Sequence, residues 1–383
     1  MRGCHDLCTV RAPELARTGF EHEGQDMADR EVDANDHQRD VALMSRALEL
    51  AARGPLGDPN PRVGAVIVDL DGVVVGEGFH EGAGTPHAEV MALRQAGAKA
   101  RAGTAVVTLE PCAHTGRTGP CAEALIEAGV ARVVYAQSDP TPRAGGGRAL
   151  LEAAGIRTTA GLLAEQAMTI NDAWTFSFVR GRPKVTWKYA ATLDGRSAAA
   201  DGSSRWITGP LARADVHRLR AQCDAILVGT GTVIADDPAL TVRGPDGSTA
   251  ARQPLRVVMG LRPVPETARV RDAAAPTYLL ATHDPAHALR ALAEREIHHV
   301  WLEGGPTVAA AFLRAGLVDE VISYLAPALL GAGAPAVGDL GIQTIDQALR
   351  LTPHEVTTIG PDIRIRASIA SPSDLVAASR KER

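Results

Sequence analysis

The stretch His87–Cys121, reading HAEVMALRQAGAKARAGTAVVTLEPCAHTGRTGPC, decides how this chain is to be understood. His87 stands two residues before Glu89, and Pro111-Cys112 and Cys121 follow, so one nitrogen and two sulfurs are offered to a soft divalent metal. Zinc suits such donors. Three protein ligands, His87, Cys112 and Cys121, leave the fourth corner of a tetrahedron to water, the arrangement of a catalytic rather than a structural site. Glu89 has no place among the ligands, because residues two apart on a helix point to different sides. It is better placed beside the ion as a proton carrier. Zinc lowers the pKa of its water from about 15.7 to about 7, worth roughly 12 kcal/mol. Acid and base help adds a factor of only about 10² to 10⁴. The metal is therefore the larger effect and Glu89 the smaller, necessary one.

The H-x-E and P-C elements, with the strand-like TAVVTLE between them, resemble the zinc-dependent nucleobase deaminases, in which activated water attacks a ring carbon bearing an amino group. The usual pattern has two residues between the cysteines, whereas here eight intervene, Ala113 to Pro120. With the insertion AHTGRTGP, the segment resembles the deaminase half of the bifunctional riboflavin-biosynthesis deaminase/reductase family, where the longer loop is normal and supplies substrate contacts. Taken singly, His-x-Glu is a common polar start to a surface helix, and cysteines pack as small hydrophobes. Their order and combination favour the metal reading.

Composition narrows the function classes. The 383 residues predict two or three domains, each able to bury a core. A formal net charge of -5 and 3% aromatic content argue against a general nucleic-acid binder, which needs a basic stripe and stacking platforms. A small-molecule substrate is expected instead. No signal peptide or membrane-length apolar run is present, and metal-binding thiolates must stay reduced, so a cytoplasmic, non-membrane protein is expected. Cys4 and Cys8 flank His5 in CHDLC, but no further ligands follow at useful spacing, and Cys223 reads as packing.

Residues 1–38 are polar and without periodicity and read as a disordered extension, with a later start near Met27 as an option. From Asp40, VALMSRALELAARG has helical spacing and stops at Gly54-Pro55. VGAVIVD and VVVGEG, joined by Asp-Gly, form a hairpin pattern, preceded by the loop DPNPRVG. After the His87 helix come strand TAVVTLE, the cysteine loop, a helix from Cys121 to about Ala128, strand ARVVYA and helix ALLEAAG. Helices alternating with strands predict a three-layer α/β/α domain over 39–181. A helix over about Ala164–Arg182 leads to a Gly-Arg-Pro joint, and a second α/β domain is expected over 182–370, followed by a polar tail, 371–383. In it, strand VTWKYAATL, helix ARADVHRLRAQ, strands AILVG, RVVM, TYLLA and HHVWLEGG, a helix from Pro306 to Ala315, strand VDEVISYLAP and a pair at HEVTTI and IRIRASI follow in order. With TLDGR, SRWIT, ADDPALTVR and LEGGPT, this half resembles the reductase half of the same family, whose fold is like dihydrofolate reductase; the likeness spans about residues 40–370.

Two places in that half suit a dinucleotide on their own chemistry. Gly229–Thr232 and Glu303–Thr307 each follow an apolar strand and open a helix, where free N–H groups attract phosphate. Neither matches the Rossmann glycine pattern. The resemblance implies that Ala190, Trp206, Thr232, Asp236 and the run Gly305, Pro306, Thr307, Val308, Ala309, Ala310, Ala311 contact NADPH. It further implies that Ser204, Arg220, Leu240, Arg243 and Glu303 contact substrate, and that Asn60 lies beside the pyrimidine ring. Arg220 and Arg243 suit a ribose phosphate, and Glu303 can bind sugar hydroxyls. In the cysteine loop His114, Gly116, Arg117 and Thr118 form a polar rim; Arg117 can hold phosphate through its fork of donors, and His114 as a fourth ligand would close the site to water. After RVVM this chain has Gly260-Leu261 where the family often shows an Asp-Ser type pair.

The resemblance implies two successive steps of riboflavin synthesis: zinc-hydroxide deamination of 2,5-diamino-6-(5-phosphoribosylamino)pyrimidin-4-one, then NADPH-dependent reduction of its ribose to ribityl. The partner is a phosphorylated pyrimidine, with zinc and NADPH as cofactors. Two rivals stand beside it: a zinc deaminase of another nucleobase or nucleoside, and a non-enzymatic zinc module fused to a nucleotide sensor, which needs a fourth protein ligand. The sequence leaves open a homo-oligomer and direct transfer of the intermediate between sites.

Overall fold

The computed structural model describes residues 20–114, 119–141, 145–244 and 246–369, with side chains from residue 36 onward. The first half is one sheet between two layers of helices. Helix α1 (Phe20–Ala51) leads into strands β1 (Gly64–Val68) and β2 (Val74–Phe79), helix α2 (Ala88–Ala96), strand β3 (Thr104–Leu109), helix α3 (Cys121–Ala128), strand β4 (Arg132–Gln137), helix α4 (Gly147–Ala153), strand β5 (Arg157–Ala160) and helices α5 (Ala164–Ile170) and α6 (Asp172–Arg180). The sheet order is β2-β1-β3-β4-β5, with β1 antiparallel to both neighbours and β3, β4 and β5 parallel.

Strands covered on both faces should be apolar throughout, because successive side chains point to opposite sides. Ala65, Ile67, Ala105, Val107, Val133 and Tyr135 pack with Ala88, Ala92 and Leu125 of α2 and α3. The alternate residues Val66, Val106, Val134 and Ala136 pack with Met44, Ala47, Leu50 and Ala167 of α1 and α5. Gly78 lets α2 lie directly on β2: a Cβ there would come within 2.3 Å of the Ala88 carbonyl oxygen. That close approach fixes the start of the helix that follows His87.

Two elements differ from expectation. The opening helix begins at Phe20 rather than near Asp40, so helical backbone replaces the expected disorder over 20–38, a stretch that contains no proline; residues 1–19 and the tail 371–383 lie outside the described residues. The helix expected over 164–182 breaks at Asn171. Its side chain bonds the backbone of Arg62, accepting from the amide at 2.8 Å and donating to the carbonyl at 2.9 Å. That pairing turns the chain and ties α5 and α6 to the loop before β1.

The second half carries strand β6 (Lys184–Thr192), helix α7 (Pro210–Arg220), strand β7 (Ala225–Gly229), helix α8 (Thr230–Asp236), strands β8 (Leu255–Met259) and β9 (Thr277–Leu280), helix α9 (Pro285–Ala293), strand β10 (His299–Leu302), helix α10 (Pro306–Arg314) and strands β11 (Glu320–Ala326), β12 (Leu351–Ile359) and β13 (Asp362–Ile369). They form an eight-stranded sheet, β12-β13-β11-β6-β10-β7-β8-β9, parallel from β11 to β9 and closed by an antiparallel pair. Its faces are again divided by strand alternation. Val185, Leu227, Val257 and Leu302 meet Leu289, Leu292, Ala309 and Phe312 of α9 and α10 on one face, while Ile226, Val258, Trp301 and Tyr324 meet Ala212, Val216 and Leu219 of α7 on the other. Chain order jumps from β6 to β7 and later returns to place β10 between them, a reversal of the kind that opens a ligand crevice at the carboxyl ends of parallel strands. No helix among the described residues is long and apolar enough to cross a membrane.

Candidate active sites

The first site is assembled from two helix starts and one strand end. His87 caps α2, Cys112 follows β3 by three residues, and Cys121 opens α3. Their donor atoms all lie within 4.8 Å of one another. His87 Nδ1 is 3.1 Å from Cys121 Sγ and 3.7 Å from Cys112 Sγ. Zinc with bonds of about 2.0–2.3 Å spaces tetrahedral N and S donors about 3.5–3.8 Å apart, so the trio fits the ion. A hydrogen bond from the Cys121 thiol, aided by His87, draws the Cys112 thiol well below its ordinary value, to about 4, and the Cys121 amide also donates to Cys112 Sγ at 3.3 Å. These contacts favour a thiolate, the form that binds metal.

Glu89 is buried in the first turn of α2 and is not one of the grouped donors. Burial raises its carboxyl to about 7 against the opposing pull of His87, so it can hold and release a proton near neutrality. Asn60 is linked to the trio through His80, which the sequence reading passed over. Asn60 Nδ2 lies 3.1 Å from His80 Nε2, and the His80 ring stands edge-on to His87 with centroids 5.5 Å apart. The only sequence signal for His80 was a lone polar residue closing a strand. His114 is not among the grouped donors either, and its Nδ1 is buried without a hydrogen-bond partner among the described residues. Gly116, Arg117 and Thr118 lie outside the described residues.

The second site is a cavity of about 1290 Å³ across the carboxyl ends of the parallel strands. Single small-molecule pockets run from about 300 to 1,000 Å³, so there is room for a dinucleotide with substrate beside it. Ala190, Ser204, Trp206, Arg220, Thr232, Asp236, Leu240, Arg243, Glu303, Gly305, Pro306, Thr307, Val308 and Ala311 all line it. Ala309 and Ala310 do not. They are 0% and 2% exposed, because α10 turns a different face to the core at these positions. The β7 and β10 ends meet closely at the middle of the cleft, where the Gly305 amide donates to Thr232 Oγ1 at 3.3 Å. The positive end of the α10 dipole can attract phosphate there, and the residues fit a dinucleotide.

Arg220 lines the cavity and is also bound to a second residue of the expected substrate set. Its guanidinium forks onto Glu303, with Nε 2.8 Å from Oε1 and Nη2 on Oε2, so its charge is already engaged. Trp301 Nε1 adds a third bond to Glu303 at 2.5 Å. Burial alone would raise Glu303, but Arg220 and Lys188 outweigh it and hold the carboxyl down at about 2. Lys188, in the middle of β6, lines the same cavity and was missed from the sequence. Its signal was a charge at the centre of a strand, between the aromatic residues Trp187 and Tyr189. Burial lowers its pKa, with Glu303 opposing and Arg220 assisting.

The two geometries define a class: a zinc-binding pyrimidine-deaminase unit joined in one chain to a dinucleotide-dependent reductase. Comparison with known proteins agrees in both halves. Residues 37–137 match the cytidine and deoxycytidylate deaminase zinc-binding region, and residues 183–365 match the RibD C-terminal domain. The chain is 55% identical over 306 residues to the riboflavin biosynthesis protein RibD of Mycobacterium tuberculosis H37Rv, covering 80% of this chain and 90% of the relative. It is 45% identical over 367 residues to the RibD of Escherichia coli K12, covering 85% and 98%. Among solved structures, RibD of Acinetobacter baumannii superposes with a TM-score of 0.81 at 41% identity, over 88% of this chain and 100% of that one. A Thermotoga maritima diaminohydroxyphosphoribosylaminopyrimidine deaminase/5-amino-6-(5-phosphoribosylamino)uracil reductase gives 0.79 at 34%, with the same coverage. The chain belongs to the RibD family, the bifunctional deaminase and reductase of riboflavin biosynthesis that uses zinc and NADPH.

Proposed function

We propose that the first site deaminates 2,5-diamino-6-(5-phosphoribosylamino)pyrimidin-4-one and that the second reduces the ribose of the resulting 5-amino-6-(5-phosphoribosylamino)uracil to a ribityl chain. The observation that carries this reading is the donor trio His87, Cys112 and Cys121 with Glu89 buried beside it but outside it. When bound, zinc makes water acidic enough to react near neutral pH, and NADPH supplies the hydride for C1′ of the ribose. Glu89 takes the proton that water sheds and passes it to the ring nitrogen; it then carries the remaining hydroxyl proton to the amino group at C2, which leaves as ammonia as the carbonyl forms. Asn60, held by His80, orients the pyrimidine in the plane of attack. In the second site Glu303 accepts hydrogen bonds from ribose hydroxyls, and Lys188 stands where it can hold or give a proton as the ring opens. Arg243, whose guanidinium has no carboxylate partner among the described residues, receives the 5′-phosphate. The reading places the protein in the cytoplasm, where the two thiolates stay reduced.

A coupled assay with purified chain, zinc and NADPH tests it. Ammonia should appear from the diamino substrate without NADPH, and the nicotinamide absorbance should fall only once the deaminated product is present. Ammonia release from free cytidine but not from the phosphoribosyl substrate would overturn the assignment.

A further inference from the structure

We propose that His217 is a positioning residue for the phosphate pocket of the second site: its Nδ1 accepts the backbone amide of Arg243 and so fixes the arginine that takes the substrate's 5′-phosphate. The inference rests on the reductase reading of the cavity and on Arg243 as its phosphate ligand. An arginine with no carboxylate partner owes its place to its backbone, because a long side chain has many rotamers to lose. Whatever holds the backbone at Arg243 therefore sets where the guanidinium waits.

Arg243 ends a short run, Leu240–Arg243, that lies along α7. Leu240 enters the run with φ of 49° and packs in one cluster with Ala212, Val216 and Leu219 of that helix. Along an extended run, the backbone groups of successive residues face opposite sides. On one side, the amide and carbonyl of Val242 both bond the side chain of Gln253, at 2.7 and 3.0 Å. On the other, the Thr241 carbonyl and the Arg243 amide meet α7. Arg220 Nη1 donates to the carbonyl at 3.2 Å, and His217 Nδ1 accepts from the amide at 3.2 Å. His217 and Arg220 stand three apart on the helix, so they share a face, and both line the cavity.

An imidazole can accept a hydrogen bond only while it is neutral, since the charged ring has two donors and no lone pair to offer. Burial, with Arg220 and Arg243 close by, draws the His217 pKa down to about 4 against the pull of Glu303. The ring is therefore uncharged at neutral pH, and Nδ1 keeps the lone pair that the amide needs.

Steady-state reduction by the full-length zinc-loaded chain tests this, with the deaminated phosphoribosyl intermediate, its 5′-dephosphorylated form and NADPH. His217→Leu is expected to raise the KM of the phosphorylated intermediate about 5- to 30-fold, the range for a donor left without its partner. The kcat, the KM for NADPH and the KM for the dephosphorylated form should each move less than about twofold. His217→Asn, whose Oδ1 can stand where Nδ1 does, should recover most of the loss. In an Arg243→Ala background, His217→Leu should add less than about twofold, because it acts through Arg243. An unmoved KM in His217→Leu, full additivity with Arg243→Ala, a His217→Asn as impaired as His217→Leu, or an NADPH KM raised as much as that of substrate would overturn the proposal. If Arg243→Ala alone left the KM of the phosphorylated intermediate unchanged, the phosphate reading of Arg243 would fall first and this role for His217 with it.

Discussion

Glu89 shows how much depends on one carboxyl that sits beside a metal-binding trio without joining it. Glu89→Gln keeps the volume and removes the proton carrier. Ammonia release is expected to fall about 10²- to 10⁴-fold, with zinc content unchanged and NADPH oxidation on the deaminated intermediate intact. Metal analysis and the two separate assays check this; a joint loss of both activities would contradict two independent sites. Arg243 carries the second residue-scale prediction. Arg243→Ala should raise the KM for the phosphorylated intermediate about 10- to 100-fold while moving that for NADPH much less. The sequence made the trio and Glu89 legible because ligand type and spacing along the chain encode them locally. Lys188 and His80 were passed over because their surroundings depend on neighbours brought together by the fold, Glu303 for the first and Asn60 for the second, and the ion pair of Arg220 with Glu303 has the same origin.

At the level of elements, strand alternation and glycine punctuation revealed most of the architecture, including β1 with β2, β3, β4, and the start of α3 at Cys121. What escaped were features set by tertiary partners. The break between α5 and α6 depends on Asn171 finding Arg62, and the face that α10 turns to the cleft leaves Ala309 and Ala310 in the core, although the family resemblance implied cofactor contact along the whole run from Gly305 to Ala311. Glu320 ties three strands of the second sheet, bonding Arg366 of β13 at 2.6 Å and lying 3.4 Å from Lys184 of β6, with His354 of β12 at 3.7 Å. Burial would raise its carboxyl, but Lys184 and Arg366 hold it down at about 2. A carboxyl depressed in the folded state stabilises above its unfolded pKa, and that stability is lost as pH falls through the folded value. Urea unfolding should therefore show up to about 3 kcal/mol lost between roughly pH 4.5 and 2. Glu320→Gln should be less stable at pH 7 and flatter in acid; parallel pH profiles for the two proteins would count against the linkage.

Over the whole molecule, the two halves share a junction built from specific contacts. His298, just before β10, places Nε2 3.3 Å from the Pro59 carbonyl and Nδ1 2.7 Å from Ser177 Oγ of α6. Asp172 of α6 pairs with Lys184 of β6, and Arg252 of the second half covers Gly57, leaving no space for a Cβ there. Gly57 and Pro59 belong to the loop that presents Asn60. His298→Ala is expected to cost roughly 1–2 kcal/mol for the lost bonds and to raise the KM of deamination, although the residue lies in the reductase half. Denaturation and deaminase kinetics check this; an effect confined to the reductase would show that the junction does not reach Asn60.

The same imidazole limits how far the chain can be trimmed. Strand β10 has four residues, and it runs from His299 directly to the carboxylate that grips Arg220. An excised C-terminal half would retain every side chain of its cleft yet lose the splint at the base of that short strand. Dissection at the gene level should thus yield a reductase with unaltered residues and a looser floor.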